Sequence, residues 1–140
     1  MKKLLVAAII SLSSISTAAL AEIKVGIILG FTGPIESLTP AMRDGAKLAF
    51  LEASNSGNLL GGETFTILEA DSTCVDSAAA TAAAEQLVAD GVSAIMGADC
   101  SGVTGAINAN VAVPNGVLMV SPSATSPGLS KIADNGTFWR

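Results

Sequence analysis

The chain is 140 residues long and half hydrophobic, with 12 acidic and 7 basic residues, no histidine and a formal charge of −5. That balance argues against phosphate-backbone binding, which depends on Lys and Arg, so nucleic acid is not an expected partner. Without histidine, a zinc or nucleophilic centre built on the two cysteines is not expected either, and no metal or cofactor is assigned.

The first 21 residues, MKKLLVAAIISLSSISTAALA, carry Lys2 and Lys3, then an apolar run, then Ala19-Leu20-Ala21. This reads as a secretory signal peptide with an A-x-A cleavage site. Ser11, Ser13, Ser14 and Ser16 interrupt the apolar run, which is too short for a membrane anchor. A mature protein starting at Glu22, periplasmic and without an intrinsic membrane span, is the expectation. Residues 22–140 keep all 12 acidic residues and five basic ones, a formal charge of −7. They suffice for one modest domain, with a core built mainly from Val, Ile, Leu and Ala.

IKVGIIL (23–29) is β-branched and apolar almost without a break, as in a strand buried on both faces. After GFTGPIES, Thr39 can cap a helix with Pro40 in its first turn. Met42, Ala46, Ala49, Phe50 and Ala53 recur on one face, and the helix stops in NSGN. TFTILEA (64–70) predicts a second strand, leading through DSTCVD into the alanine-rich helix of residues 77–91, with Gly91 where a C-cap belongs. SAIMG (93–97) predicts a third strand. Ser101 opens a helix with Val103, Ala106, Ile107 and Val111 on one side, ending near Pro114, and GVLMV (116–120) predicts the fourth strand. Phe138 and Trp139 suit either a further strand or hinge approach or a frayed terminus.

Strands and helices that alternate in this way specify an α/β fold, a Rossmann-like parallel sheet with right-handed crossovers and helices on both faces. GFTGPIESLT, DSTCVD, GADCSG and SPSATSP then share one edge, the carboxyl ends of the strands, where open α/β sheets bind ligands. With Ser101 as N-cap, the free N–H groups and dipole of its helix favour a carboxylate or phosphate. Ser123 and Thr125, arriving on the next connection, add hydroxyls and backbone groups, so an anion and an ammonium could be held side by side. The same residues could instead only cap helices and shape turns. Cys74 and Cys100 either pair with each other, which an oxidising compartment favours, or remain two separate buried thiols.

From KVGIILGFTGP and MRDGAKLAF through DSTC, IMGADCSGVT and GVLMVSPSATSPGLS, residues 22–140 resemble the amino-terminal lobe of a known family. That family is the periplasmic substrate-binding proteins of branched-chain amino-acid (leucine/isoleucine/valine) ABC transport. The resemblance implies a periplasmic binding protein type I lobe, a Cys74–Cys100 disulfide, a small amino-acid ligand and an inner-membrane ABC permease as partner. It also implies that Ser101 meets the ligand carboxylate, that Ser123 offers its carbonyl to the ammonium, and that Thr125 uses hydroxyl and backbone nearby. Cys100 and Ala124 flank these positions and complete the expected ligand-binding set with Leu38. Leu38 matches a place where leucine-binding members carry an aromatic residue over the aliphatic side chain, which leaves ligand preference open to other small amino acids, amides or carboxylates. Family members have two lobes, so residues 22–140 are expected to be one lobe of a longer gene product.

Rival readings fare worse. GIILGFTGP lacks the G-x-G-x-x-G spacing of a dinucleotide enzyme, and neither G-x-S-x-G nor a histidine is present for an α/β-hydrolase. Asp71 and Asp99 fall near the functional edge, where capping of loops is the commoner role for a carboxylate and an enzyme is not expected. A ligand-sensing receptor module is the alternative use of such a lobe.

Overall fold

A computed structural model describes residues 22–59 and 61–140. The expected leader lies outside the described residues. Five strands form one sheet, β1 (Glu22–Leu29), β2 (Thr64–Asp71), β3 (Ala94–Gly97), β4 (Leu118–Val120) and β5 (Phe138–Trp139), in the order β2-β1-β3-β4-β5. Every neighbouring pair is parallel. β1 lies inside the sheet and is buried from Val25 to Leu29, which is why its sequence is apolar at consecutive positions. β4 is shorter than GVLMV predicts because Gly116, at φ 64°, still belongs to the end of the preceding helix.

Helix α1 (Thr39–Asn55) covers one face of the sheet, and α2 (Ser77–Ala89) and α3 (Ser101–Ile107) cover the other. α3 continues through a π-turn at Asn108–Ala112 into a last helical turn, Val113–Asn115. The core joins Ile28, Ile95, Met119 and Phe138 of the sheet to Ala80, Ala84 and Leu87 of α2 and Val103, Ile107 and Val111 of the third helix. The alanines of α2 let that helix sit close to the strands, and Gly26 is tightly overlaid by Leu87.

The caps show where local reading succeeds and fails. Asp76 caps α2 by accepting from the amides of Ala78 and Ala79 at 2.9 and 3.0 Å. At the other end Gly91, at φ 90°, closes a Schellman motif, its amide donating to Val88 and that of Val92 to Leu87. The expected capping by Thr39 is corrected. Leu38 occupies the N-cap position with helical φ and ψ, and Thr39 is the first helical residue. The chain already coils before it, through the Gly33–Glu36 and Ile35–Leu38 bonds, and the buried Thr39 hydroxyl donates back to the Glu36 carbonyl at 3.1 Å. On the expected face of α1, Met42, Ala46, Phe50 and Ala53 are half-buried while Ala49 is exposed.

Candidate functional site

Parallel strands bring Gly30, Ser72, Ala98 to Cys100, and Ser121 to one edge, and hydrogen bonds then join their connections. Ser121 Oγ donates to the Ala98 carbonyl at 2.5 Å and accepts from the Ala124 amide at 2.9 Å. Ser123 Oγ donates to the Asp99 carbonyl at 3.0 Å. Ser101 Oγ accepts from the Ser126 amide at 3.1 Å. The segment after β4 is thus fixed against the start of α3 at three points by hydroxyls, which serve there because each can both donate and accept.

Ser101 does not cap its helix. Cys100 holds the N-cap position, extended at φ −96° and ψ 129°, and makes no side-chain cap bond. Its sulfur is bonded to that of Cys74, with the two Cα atoms 5.2 Å apart. Ser101 is the first helical residue, and its hydroxyl is turned to Ser126 in the neighbouring connection. The first i to i−4 bond runs from the Thr104 amide to the Cys100 carbonyl. The amides of Ser101, Gly102 and Val103 consequently precede the helical ladder, as at any helix start.

A cavity of about 420 Å³ opens at this edge, lined by Ser121, Pro122, Ser123, Ala124, Thr125 and Arg140. Thr125 is exposed, Ser123 half-buried and Ala124 buried. The sequence reading missed Arg140. Its Nη1 donates to the Ala124 carbonyl at 2.9 Å and its Nη2 to Ser130 Oγ at 2.6 Å, so a cation borders the cavity. No local pattern disclosed it, because the residue that receives its bond lies 16 positions earlier in the chain. Leu38, 57% exposed, Cys100 and Ser101 are not among the lining residues. The geometry therefore gathers Ser123, Ala124 and Thr125 on one wall, ties Ser101 to that wall through Ser126, and leaves Leu38 apart.

The two carboxylates at this edge bind loops. Asp71 accepts from Thr32 Oγ1 at 2.5 Å and from the amides of Thr32 and Thr73 at 3.3 and 2.8 Å. Partial burial works to raise its pKa, but these bonds outweigh it and hold the carboxyl below its ordinary range. Asp99, only 3% exposed, accepts from the amides of Gly30 and Cys100 and from Ser72 Oγ. Among the described residues no helix is long and apolar enough to cross a membrane.

The family described as Periplasmic binding protein matches residues 22–139 of the chain. The Leu/Ile/Val-binding protein BraC3 of Rhizobium johnstonii is 33% identical over 129 residues, 92% of this chain and 34% of that protein. Among solved structures, the branched-chain amino acid transporter substrate-binding protein LivJ of Streptococcus pneumoniae, in complex with isoleucine, aligns with a TM-score of 0.71 at 34% identity. That alignment covers 79% of this chain and 31% of LivJ. An ABC transporter substrate-binding protein of Desulfitobacterium hafniense, in complex with Leu, gives 0.69 at 26% identity over 85% of this chain and 34% of its own. The chain spans about a third of the length of these relatives. With the family pattern running from Glu22 to Trp139 across a parallel sheet whose carboxyl edge holds the cavity, the chain belongs to the periplasmic binding protein family.

Proposed function

We propose that residues 22–140 are the amino-terminal lobe of an extracytoplasmic solute-binding component of an ABC transporter. Residues 1–21 would direct it to the periplasm and be removed. The lobe captures a branched-chain or similar small aliphatic amino acid for an inner-membrane permease, and its action is binding without chemistry. The observation that carries this reading is the cavity of about 420 Å³ walled by Ser123 to Thr125, to which Ser101, the first residue of α3, is tied through its bond with the Ser126 amide. Relatives named for Leu, Ile and Val binding support the ligand class.

In this reading the ligand carboxylate meets Ser101 and the amides that open α3, where the helix dipole is favourable. The Ser123 carbonyl takes the ammonium, and the exposed Thr125 hydroxyl bonds at the same end of the ligand. Ser123 is suited to the task because its hydroxyl is occupied by Asp99, which orients the peptide while leaving the carbonyl available. A second lobe would close over the ligand by a hinge motion.

Calorimetric titration of the whole gene product with leucine, isoleucine, valine and a panel of other amino acids tests the proposal. Saturable binding of an aliphatic amino acid is expected, and no heat with any amino acid would defeat it. Thr125→Ala should weaken every amino-acid ligand by a similar factor, about 1–3 kcal/mol for a lost charge-assisted bond. Unchanged affinity would remove Thr125 from the site.

A further inference from the structure

Asp99 is a buried carboxylate whose hydrogen-bond partners are all neutral groups. An apolar side chain could fill such a position without losing the hydration that a carboxylate gives up. What the carboxylate obtains is a set of ties to different connections. Oδ2 accepts from the Gly30 amide after β1 at 2.9 Å. Oδ1 accepts from the Cys100 amide at the start of α3 at 3.0 Å and from Ser72 Oγ after β2 at 3.4 Å. Its own carbonyl accepts from Ser123 Oγ after β4. One residue therefore touches all four strand-to-helix connections that make up the functional edge.

We propose that Asp99 is the positioning residue of the amino-acid clamp, an inference that rests on the function proposed above. Its side chain fixes the peptide leading into Ser101 against the first two connections, and its main chain holds Ser123 in the fourth. Asp99 does not itself contact the ligand. It sets the spacing between the group that receives the carboxylate and the group that receives the ammonium.

Asp99→Asn is the informative change, because it conserves volume. Each carboxylate oxygen accepts from a backbone amide, so whichever way the new side chain turns, its NH₂ must face the N–H of Gly30 or of Cys100. The Ser72 hydroxyl can rotate to accommodate a donor, but a backbone amide cannot. One tie is lost and two donors are opposed. Ser123→Ala provides a milder second variant, since it deletes only the bond to the Asp99 carbonyl and spares the Ser123 carbonyl itself.

The experiment compares the full chain as wild type, Asp99→Asn, Ser123→Ala and Asp76→Ala. The last loosens the exposed cap of α2 and serves as a control for stability loss. Dissociation constants for leucine, isoleucine and valine are measured well below the thermal midpoints, and amide hydrogen exchange is followed without ligand in residues 101–106 and 121–126. Asp99→Asn should weaken all three ligands about tenfold with their ratios kept, and should speed exchange in both segments. Ser123→Ala should do the same to a smaller extent, chiefly over 121–126, and Asp76→Ala should do neither. Wild-type affinity and exchange in Asp99→Asn would overturn the proposal. Should that variant not fold, wild-type behaviour of Ser123→Ala would overturn it instead. Should the wild type bind no amino acid, the clamp reading fails, and the exchange data alone decide whether Asp99 ties these connections together.

Discussion

Asp71 and Asp99 stand at the ends of neighbouring connections, yet they do different work. Asp99 is enclosed and reaches four connections, whereas Asp71 is partly exposed and joins only the first two, through Thr32 and Thr73. Because its hydrogen bonds keep the folded-state pKa of Asp71 depressed, ionised Asp71 contributes stability. That contribution is complete above the unfolded carboxylate value, near 4, and is lost as pH falls through the lower folded value. In Asp71→Asn the contribution is absent at every pH. Urea unfolding should therefore show a gap between wild type and variant that is widest from neutrality to about pH 5 and closes toward about pH 2, where the protonated acid resembles the amide. Solvent screening limits the gap to below about 1 kcal/mol. A gap that stays constant across this range would show that ionisation of Asp71 does not matter.

At the scale of elements, the Cys74–Cys100 bridge joins the connection after β2 to the N-cap of α3, across 26 positions of sequence. Closing a loop of that length restricts the unfolded chain by about 3 kcal/mol in the chain-entropy view. The variant carrying both Cys74→Ser and Cys100→Ser should lose about that much stability in denaturant unfolding. Reductant should lower the wild-type midpoint and leave the variant's unchanged, and a wild-type midpoint indifferent to reductant would refute the prediction. Elements whose signals are local were legible in the sequence: the unbroken apolar run of β1, the alanines of α2 and the glycine that ends it. Errors arose where a capping hydroxyl had a competing partner, local in one case and tertiary in the other. Thr39 and Ser101 are both good capping residues, but one hydroxyl turns back to the Glu36 carbonyl and the other is taken by the Ser126 amide. The π-turn at Asn108–Ala112 was also hidden, since Val103, Ile107 and Val111 keep ordinary four-residue spacing through it. Arg140 and the ties of Asp99 depend on neighbours brought close only by the folded sheet.

For the molecule as a whole, the two faces of the sheet are unequally covered. α2 and α3 bury one face across β1, β3 and β4, and Phe138 extends that buried layer to β5. On the opposite face, side-by-side registers align Val25, Ala94 and Leu118 in one row and Ile27, Met96, Val120 and Trp139 in the next. Val25 and Ile27 are buried on the side where α1 packs, but Leu118 and Val120 are each 42% exposed and Trp139 is 62% exposed. A contiguous apolar strip of this kind is unusual on a free surface. Trp139 is the single tryptophan of the chain and reports directly on the strip. Residues 22–140 prepared alone should emit as a water-exposed indole, yield readily to acrylamide quenching and bind a dye specific for apolar surface. Leu118→Gln combined with Val120→Thr should reduce dye binding while changing the thermal midpoint little, because both side chains already spend much of their surface in water. Blue-shifted, quencher-resistant emission from the same preparation would mean that the strip is covered, and would reject an open face over β3, β4 and β5.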